Sequence, residues 1–354
     1  MVVKVSKPEL NLREKISELD KPSGVAGEAM LRAETIAEQQ ALIGVGNRNI
    51  LVNGSFQISQ RGDYSSASAT ALNNYVFKLD RWNNHTITIT STVQHLSGFP
   101  TTNEKYVRTV ATSTGSGYMR MFQRVEGNFE GRELTFSAWV RSNRQTRLLT
   151  IATGAWVSND TSARHSGNGQ WEKLTLTITA GNFTSPHFVI SNNAVDHGTT
   201  SVVTGDYFEV ANCQLEEGKI ATPFEYRTYG EELALCQRYY QKLFDTNAGT
   251  YRHRWQGRIG SVYSTTRVFV TVDLPVQMRN TPTVVFETGG SGFRWNIYSA
   301  DADIGPSTAI ANTYTSTDSI GFDVTPKANL GTGYVGNACH MDVRDGWCHA
   351  TAEL

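Results

Sequence analysis

An excess of charge of either sign is absent from this sequence. Its 32 lysines and arginines face 33 aspartates and glutamates, which gives a formal net charge of −1. A protein that grips nucleic acid through its phosphates needs a basic patch, so no nucleic-acid partner is expected. An apolar run of about 20 residues, the length of a membrane-spanning helix, is also absent, and no membrane insertion is expected. The N-terminal stretch MVVKVSKPELNLREKISELD lacks the apolar centre of a secretory signal.

Cysteine is scarce as well, with only four residues among 354. This density is too low for a disulfide scaffold. The last two cysteines each precede a histidine in the segment CHMDVRDGWCH, but the CxxC spacing of common zinc sites is missing. Buried thiols or a single disulfide are therefore favoured over a metal, and no cofactor is expected. The cysteines are Cys213, Cys236, Cys339 and Cys348.

Sequence motifs of catalysis are missing too. The chain has no GxSxG nucleophile elbow, HExxH helix, phosphate-binding GxxxxGK[ST] loop or dinucleotide fingerprint. Adjacent carboxylates such as Glu216 and Glu217 are typical of solvated turns, and adjacency alone does not place two carboxylates across a sugar. The sequence therefore predicts a protein that is not an enzyme.

Strand patterns fill most of the chain. Threonine, serine, asparagine and 31 glycines replace the charged residues, which make up only 18%. Short alternating segments such as HTITIT, YVRTVAT, LTFSAWV and WEKLTLTI are separated by turn clusters over residues 49–228. This spacing, without intervening helices, predicts an antiparallel jelly-roll β-sandwich. Ile50 to Val52 is expected to form its first strand, Asn53-Gly54 to turn the chain, and Phe56 to enter the core.

A helix and a second β region follow the predicted sandwich. Leu233, Cys236 and Leu243 lie on one stripe of YGEELALCQRYYQKLF, which predicts a connecting helix over 229–245. Segments such as RVFVTVDL, TPTVVFETG and SIGFDVT then predict a smaller C-terminal β-rich domain over 246–354. The chain as a whole is expected to be mainly β.

Residues 1–48 differ from the rest, because two weak amphipathic helices are predicted there before the first strand. One interpretation is an arm that packs on its own body. The other, which we favour, is an arm that oligomerises or docks on a partner. The residues on its apolar stripes are Leu12, Ile16, Leu19, Ala29, Ala33 and Ile36.

Aromatic residues suggest a binding function. Proteins that bind sugars present rings to the apolar faces of pyranoses and polar side chains to the hydroxyls. Trp139 is expected to be buried or half-buried, whereas Trp156 precedes a polar loop and is the better surface candidate. The predicted glycan-binding residues are Trp156, Asn159, Asp160 and Arg164, with a second group at Trp295 and Tyr298.

Several segments together resemble a known group of proteins. The opening NILVNGSFQISQRG, the LDRW that follows, GRELTFSAWV, and VANCQLEEGKIATPFEYRTYGEELALCQRYYQK are similar to phage tail-fibre and related virion proteins with a carbohydrate-binding-module-like jelly roll. The final Ala352-Glu353-Leu354 is similar to the end of fibre C-terminal domains. The resemblance covers about 49–245 well and 246–354 loosely.

The resemblance implies a homotrimeric tail fibre in the virion, assembled in the host cytoplasm and attached to other tail proteins through the N-terminal arm. The distal β domains would meet a glycan on the host cell surface. A structural calcium is also implied, with Asn53, Asp206 and Glu209 as oxygen ligands, although Asn53 has the simpler alternative of an Asx turn beside Gly54. Two rival hypotheses remain open: a structural fibre or adaptor without glycan binding, and a polysaccharide depolymerase.

Overall fold

The computed structural model describes residues 48–65, 71–72, 76–99, 101, 104–152, 155–157, 163–181, 186–193, 201–245, 253–287, 295–299, 302–326, 338–343 and 347–353. The predicted N-terminal helices lie outside these residues, and the two helices remain a prediction. The same is true of the six residues on their apolar stripes, which are Leu12, Ile16, Leu19, Ala29, Ala33 and Ile36.

The first part of the chain is a β-sandwich of two six-stranded antiparallel sheets, as expected from the alternating segments. The first sheet has the order β1-β4-β5-β12-β7-β10, and the second has the order β2-β3-β6-β11-β8-β9. The strands are β1 (Ala71–Leu72), β2 (Val76–Leu79), β3 (Trp82–Ile87), β4 (Ser91–Ser97), β5 (Lys105–Ala111), β6 (Tyr118–Arg124), β7 (Glu133–Ser142), β8 (Thr146–Ala152), β9 (Ala155–Val157), β10 (Trp171–Thr179), β11 (His187–Asn193) and β12 (Tyr207–Glu217).

The sandwich core lies between the two sheets and follows the period of two along each strand. In β7, Leu134, Phe136, Ala138 and Val140 are fully or almost fully buried in the core. The residues between them point to the other face of the first sheet, where Trp139 is only partly buried. Alternation therefore assigns one face of this sheet to the core and leaves the other for contacts outside it.

The opening stretch adopts a tighter conformation than the sequence suggested. Residues 51–53 form bends and residue 50 has no regular structure, so the predicted first strand over Ile50 to Val52 is wrong. The Ile50 amide nevertheless donates to the Leu215 carbonyl near the end of β12 (2.8 Å). Asn53 has a φ of 58°, and the turn at this residue is confirmed. Phe56 is fully buried, as expected, with its ring centroid 5.2 Å from that of Trp82.

Two of the segments that carry the family resemblance are joined by this turn. The Asn53 carbonyl accepts a hydrogen bond from the indole Nε1 of Trp82 (2.9 Å), in the LDRW segment. The Asn53 amide donates to Glu232 (2.5 Å), which lies in the later TYGEE segment. Because all three residues are buried, these contacts hold the start of the sandwich, its LDRW turn and the following helix together.

The connecting helix is shorter than expected. Helix α1 (Tyr229–Gln237) begins with a capping box, in which Thr228 and Glu231 exchange hydrogen bonds. The predicted continuation to 245 is replaced by strand β13 (Tyr240–Asp245). This strand pairs with the C-terminal strand β21 (Trp347–Thr351). Tyrosines suit a strand as well as a helix, so the distant partner strand decides the outcome.

The remaining strands form a small sheet and a closed barrel, which agrees with the predicted C-terminal β region. The small sheet has the order β13-β21-β16, and the barrel has the order β14-β15-β19-β18-β17-β20. The further strands are β14 (His253–Ser264), β15 (Arg267–Asp273), β16 (Thr283–Glu287), β17 (Trp295–Ser299), β18 (Ala302–Thr315), β19 (Ser319–Pro326) and β20 (Ala338–Val343).

An ion-pair cluster connects the sandwich to the end of the chain. The Glu353 carboxylate contacts the guanidinium groups of Arg61 (2.7 Å) and Arg81 (2.5 Å). The Arg81 Cζ also lies 3.6 Å from the ring centroid of Tyr239, and the Arg61 Cζ lies 3.8 Å from that of Tyr240. The QRG, LDRW and AEL segments, which carried the resemblance separately, thus meet at one buried junction.

Candidate functional site

The outward face of the first sheet carries a row of charged and aromatic side chains. Strand register places Glu209 opposite Arg108 on one side and opposite Arg141 on the other, and Arg141 opposite Trp171. Each of these residues alternates with core residues, for example Val140 and Phe208. The row therefore runs across four neighbouring strands, β5, β12, β7 and β10, on the side away from the core.

Four aromatic rings gather around this row. Phe99, in the loop after β4, stacks on Trp171 with ring centroids 3.9 Å apart and an angle of 10° between the planes. Trp139 meets Phe99 edge-on at 5.5 Å, and Tyr106 meets Trp171 edge-on at 5.6 Å. All four rings are partly exposed. We call this group the aromatic face, and it consists of Phe99, Tyr106, Trp139 and Trp171 with Arg108, Glu209 and Arg141.

The charges of the aromatic face are arranged around one buried carboxylate. The Glu209 side chain is 1% exposed and accepts a hydrogen bond from the Nε of Arg141, while the Nε of Arg108 lies 3.6 Å from its other oxygen. The hydrogen bond with Glu209 raises the pKa of the Arg141 guanidinium. Arg108 and Arg141 are 38% and 33% exposed, so the carboxylate fixes two arginines that still reach solvent.

Such an arrangement can bind a molecule with both apolar and hydroxyl-bearing surfaces. Partly exposed rings offer apolar area at a low cost in conformational entropy. Arginine amino groups held by a buried carboxylate are preoriented donors, and a hydrogen bond to a charged group contributes about 1.5–3 kcal/mol. A sugar ring presents this combination of surfaces.

The sequence contains a signal for the aromatic face, although the predicted glycan-binding residues lie elsewhere. The tripeptides Tyr106-Val107-Arg108 and Trp139-Val140-Arg141 both place an aromatic and an arginine two positions apart, and Tyr207-Phe208-Glu209 adds an aromatic and a carboxylate. In a strand, residues two apart share a face. The pattern thus indicates one polar-aromatic face on each strand, but only the register shows that the three faces coincide.

The predicted site at Trp156 lies elsewhere. Trp156 is in β9, at the edge of the second sheet, and pairs with Ile151. Its side chain lies outside the described part of the structure, as do Asn159 and Asp160 entirely. Arg164 is exposed and forms an isolated backbone bridge with Arg147. The aromatic face is on the other sheet, so the structure does not bring Arg164 together with it.

The second predicted group lies in the barrel. Trp295 and Tyr298 are both in β17, where they pair with Val343 and His340 of β20. The side chains of Trp295 and Tyr298 are outside the described residues. Their role in glycan binding stays a prediction.

The residues suggested as calcium ligands are each held by separate protein donors. The Asn53 side chain accepts from the Ile58 amide (3.0 Å) and donates to the Ile58 carbonyl (2.9 Å). These bonds reach five residues along the chain, farther than the two residues of an Asx turn. Asp206 accepts from the Arg144 Nε (2.9 Å), and Glu209 belongs to the aromatic face. Among the described residues, no three His, Cys, Asp or Glu side chains form a metal-binding group. The structure gives the calcium hypothesis no support.

Three of the cysteines are described as thiols. Cys213, Cys236 and Cys348 are free and buried, and burial raises the pKa of all three thiols. A thiol with a raised pKa is a poor nucleophile. Within the described ranges, no helix is long and apolar enough to cross a membrane.

Comparison with known proteins assigns no family. No family model matches the chain, and no curated protein matches it significantly. Solved structures with some similarity include the enzymatically active domain of tailspike protein 4 of bacteriophage CBA120, with 11% identity and a TM-score of 0.33. That match covers 48% of this chain and only 22% of the tailspike chain.

Carbohydrate-binding modules are also among the similar structures. TmCBM61, in complex with β-1,4-galactotriose, is 14% identical with a TM-score of 0.31, and the match covers 49% of this chain and 100% of the module. The family 11 module of the cellulase Lic26A-Cel5E of Clostridium thermocellum is 14% identical with a TM-score of 0.27, covering 44% of this chain and 99% of the module. Similarities this weak assign neither a ligand nor an activity to this chain.

Proposed function

We propose that this chain is a structural protein of a phage virion, a tail-fibre protein that attaches to a host-surface glycan through the aromatic face. The observation that carries the proposal is the row Arg108–Glu209–Arg141 beneath four partly exposed rings. The sequence resemblance to tail-fibre proteins supports the virion assignment. Adhesion rather than catalysis is the mechanism, and the chain acts as a homotrimer.

The physical basis is contact area combined with fixed donors. The apolar face of a pyranose lies against the rings, and the outer edges of Arg108 and Arg141 donate to its hydroxyls. A single site of this kind binds weakly, and a millimolar Kd corresponds to about −4 kcal/mol. Three copies on one fibre raise the apparent affinity by about 10²–10⁴ through effective concentration. The N-terminal arm would join the fibre to other tail proteins.

A second candidate function is a purely structural fibre or adaptor that binds no glycan. The stack of Phe99 on Trp171 favours it, because one face of the indole is already covered by a residue of the chain itself. In this interpretation the four rings form a cluster that fixes the loop after β4 to the sheet, and other virion proteins are the only partners.

A glycan array with the full-length protein separates the two functions. We expect binding to a restricted set of glycans, and a loss of about tenfold or more, equivalent to about 1.4 kcal/mol, in Trp139→Ala and in Arg108→Ala. Arg132→Ala is the matched control, because Arg132 is an exposed arginine (54%) outside the aromatic face. Circular dichroism verifies that each variant is folded.

Three outcomes would contradict the proposal. If wild type, Trp139→Ala and Arg108→Ala bind glycans equally, the aromatic face is not the binding site. Absence of binding to any glycan would favour the adaptor. Shortened chains after incubation with host polysaccharide would overturn the non-catalytic mechanism.

A further inference from the structure

The barrel presents a second group of aromatic side chains, on a different part of the fold. Val262, Val268, Val270 and Phe322 point into the C-terminal core, so the residues between them on β14, β15 and β19 face outward. Together with β18 they line a shallow cleft of about 450 Å³. We call it the barrel cleft, and its lining residues are Ser261, Tyr263, Phe269, Tyr314 and Asp323.

The floor of the barrel cleft depends on a glycine. Thr271 pairs with Gly321 on the neighbouring strand, and Phe269 pairs with Asp323. A Cβ at position 321 would lie 2.7 Å from the Cζ of Phe269. The ring of Phe269 therefore occupies the space that any other residue at 321 would fill, and Tyr314, opposite Gly321 on β18, meets it edge-on at 6.0 Å.

Strand stability explains only part of this arrangement. Aromatic rings packed over glycines on a neighbouring strand are a known way to stabilise a sheet, which accounts for Phe269. Tyr263 and Tyr314 are 46% and 57% exposed, and they leave much of their apolar surface in water. Exposed aromatic rings on both sides of a concave floor are typical of a binding site rather than of a core.

The polar groups of the barrel cleft include one positive and one negative charge that form an ion pair. The Arg267 guanidinium lies 3.5 Å from the Asp323 carboxylate and donates to the hydroxyl of Tyr263 (3.4 Å). The Arg267 side chain is 52% exposed, whereas that of Asp323 is 4% exposed. Since one positive and one negative charge face each other, the barrel cleft favours a neutral ligand that offers both donors and acceptors. The hydroxyls of a sugar do so.

We propose that the barrel cleft binds one neutral pyranose unit of a saccharide. The ring lies over Phe269 between Tyr263 and Tyr314, and its hydroxyls contact Arg267 and Asp323. The cleft, with a volume of about 450 Å³, has room for a sugar unit, and because it is open to solvent the rest of a longer chain can extend outside it. This site is separate from the aromatic face and does not depend on it.

The test uses saturation-transfer NMR on the full-length protein, with glucose, galactose, mannose and N-acetylglucosamine as probes. We expect transfer to at least one of these sugars, reduced about fivefold or more in Tyr314→Ala and in Tyr263→Ala because each removes one ring of the contact. Tyr229→Ala is the matched control, since Tyr229 is 60% exposed and lies outside the cleft. Each tyrosine change is also combined with Arg108→Ala, so that sugar bound at the aromatic face does not mask a loss at the barrel cleft.

The outcomes distinguish the two sites. If saturation transfer to the sugar is lost in Arg108→Ala but unchanged in both tyrosine variants, the proposal that the barrel cleft binds sugar is overturned and binding at the aromatic face is supported. The reverse pattern supports the barrel cleft alone. No transfer to any of the four sugars overturns the inference. Light scattering that shows a smaller oligomer for Tyr314→Ala would also overturn it, because a second copy of the chain would then cover the cleft.

Discussion

Replacing Glu353 by alanine tests the junction between the sandwich and the end of the chain. The change removes a carboxylate that is 8% exposed and leaves Arg81, 2% exposed, with one charge partner fewer. Removing one member of a buried ion pair costs about 3–5 kcal/mol, because the remaining charge is poorly solvated. Arg81 keeps its hydrogen bond to the Arg124 carbonyl (2.7 Å), so we expect a loss near the lower end, about 3 kcal/mol.

The chain contains a control pair with the same N–O distance and a different burial. Glu217 and Arg132 are also 2.5 Å apart, but their side chains are 43% and 54% exposed. An exposed pair contributes about 0–1 kcal/mol, because water solvates both charges in either state. Glu217→Ala should therefore change the free energy of unfolding by less than a third of the change in Glu353→Ala.

Urea denaturation followed by tryptophan fluorescence measures both variants against the wild type. A shift of the midpoint at unchanged slope reports a change in stability. Equal midpoint shifts for Glu353→Ala and Glu217→Ala would refute the reasoning, because burial would then make no difference to two ion pairs of equal length. A Glu353→Ala protein with wild-type stability would show that the junction does not hold the fold together.

The remaining predictions concern a close backbone approach and the response to acid. Gly54→Ala should lower the free energy of unfolding, measured in urea, by about 3 kcal/mol, because the new Cβ would lie 2.1 Å from the Cys213 carbonyl oxygen. Gly230→Ala is the control and should not destabilise the protein, because a Cβ there would have nothing within 4 Å. Equal effects of the two changes would contradict this reasoning. Burial, with a nearby arginine, lowers the pKa of His187 and of His349 to about 4. The unfolded chain, with a histidine pKa of about 6.5, binds these protons more readily, so stability should fall as the pH falls from about 6.5 to 4. In His187→Gln and in His349→Gln, the urea midpoint should change less between these pH values than it does in the wild type. A pH dependence of the midpoint equal to that of the wild type would contradict the low pKa of these histidines.

Local patterns predicted the β architecture well but did not predict its exceptions. The strands of the sandwich follow the alternation in segments such as LTFSAWV, because each strand carries its own period of two. Tyr240 to Asp245 has a helical stripe in sequence and forms a strand, since β21 offers it a ladder of backbone partners. Trp139 could be predicted to be half-buried, but its neighbours on the aromatic face come from three other strands and a loop.

The sequence by itself determined the near-zero net charge and several local elements: the turn at Asn53, the capping box of Thr228 and Glu231, and the alternating strands of the sandwich. Each depends on a few neighbouring residues or on composition. Only the tertiary structure decided which faces meet. Arg61 and Glu353 are 292 positions apart, and the two sites on the sheet and on the barrel arise from strand register. Between strands that are distant in sequence, the face that is buried selects the register, so the pairing is fixed only when the segments pack together.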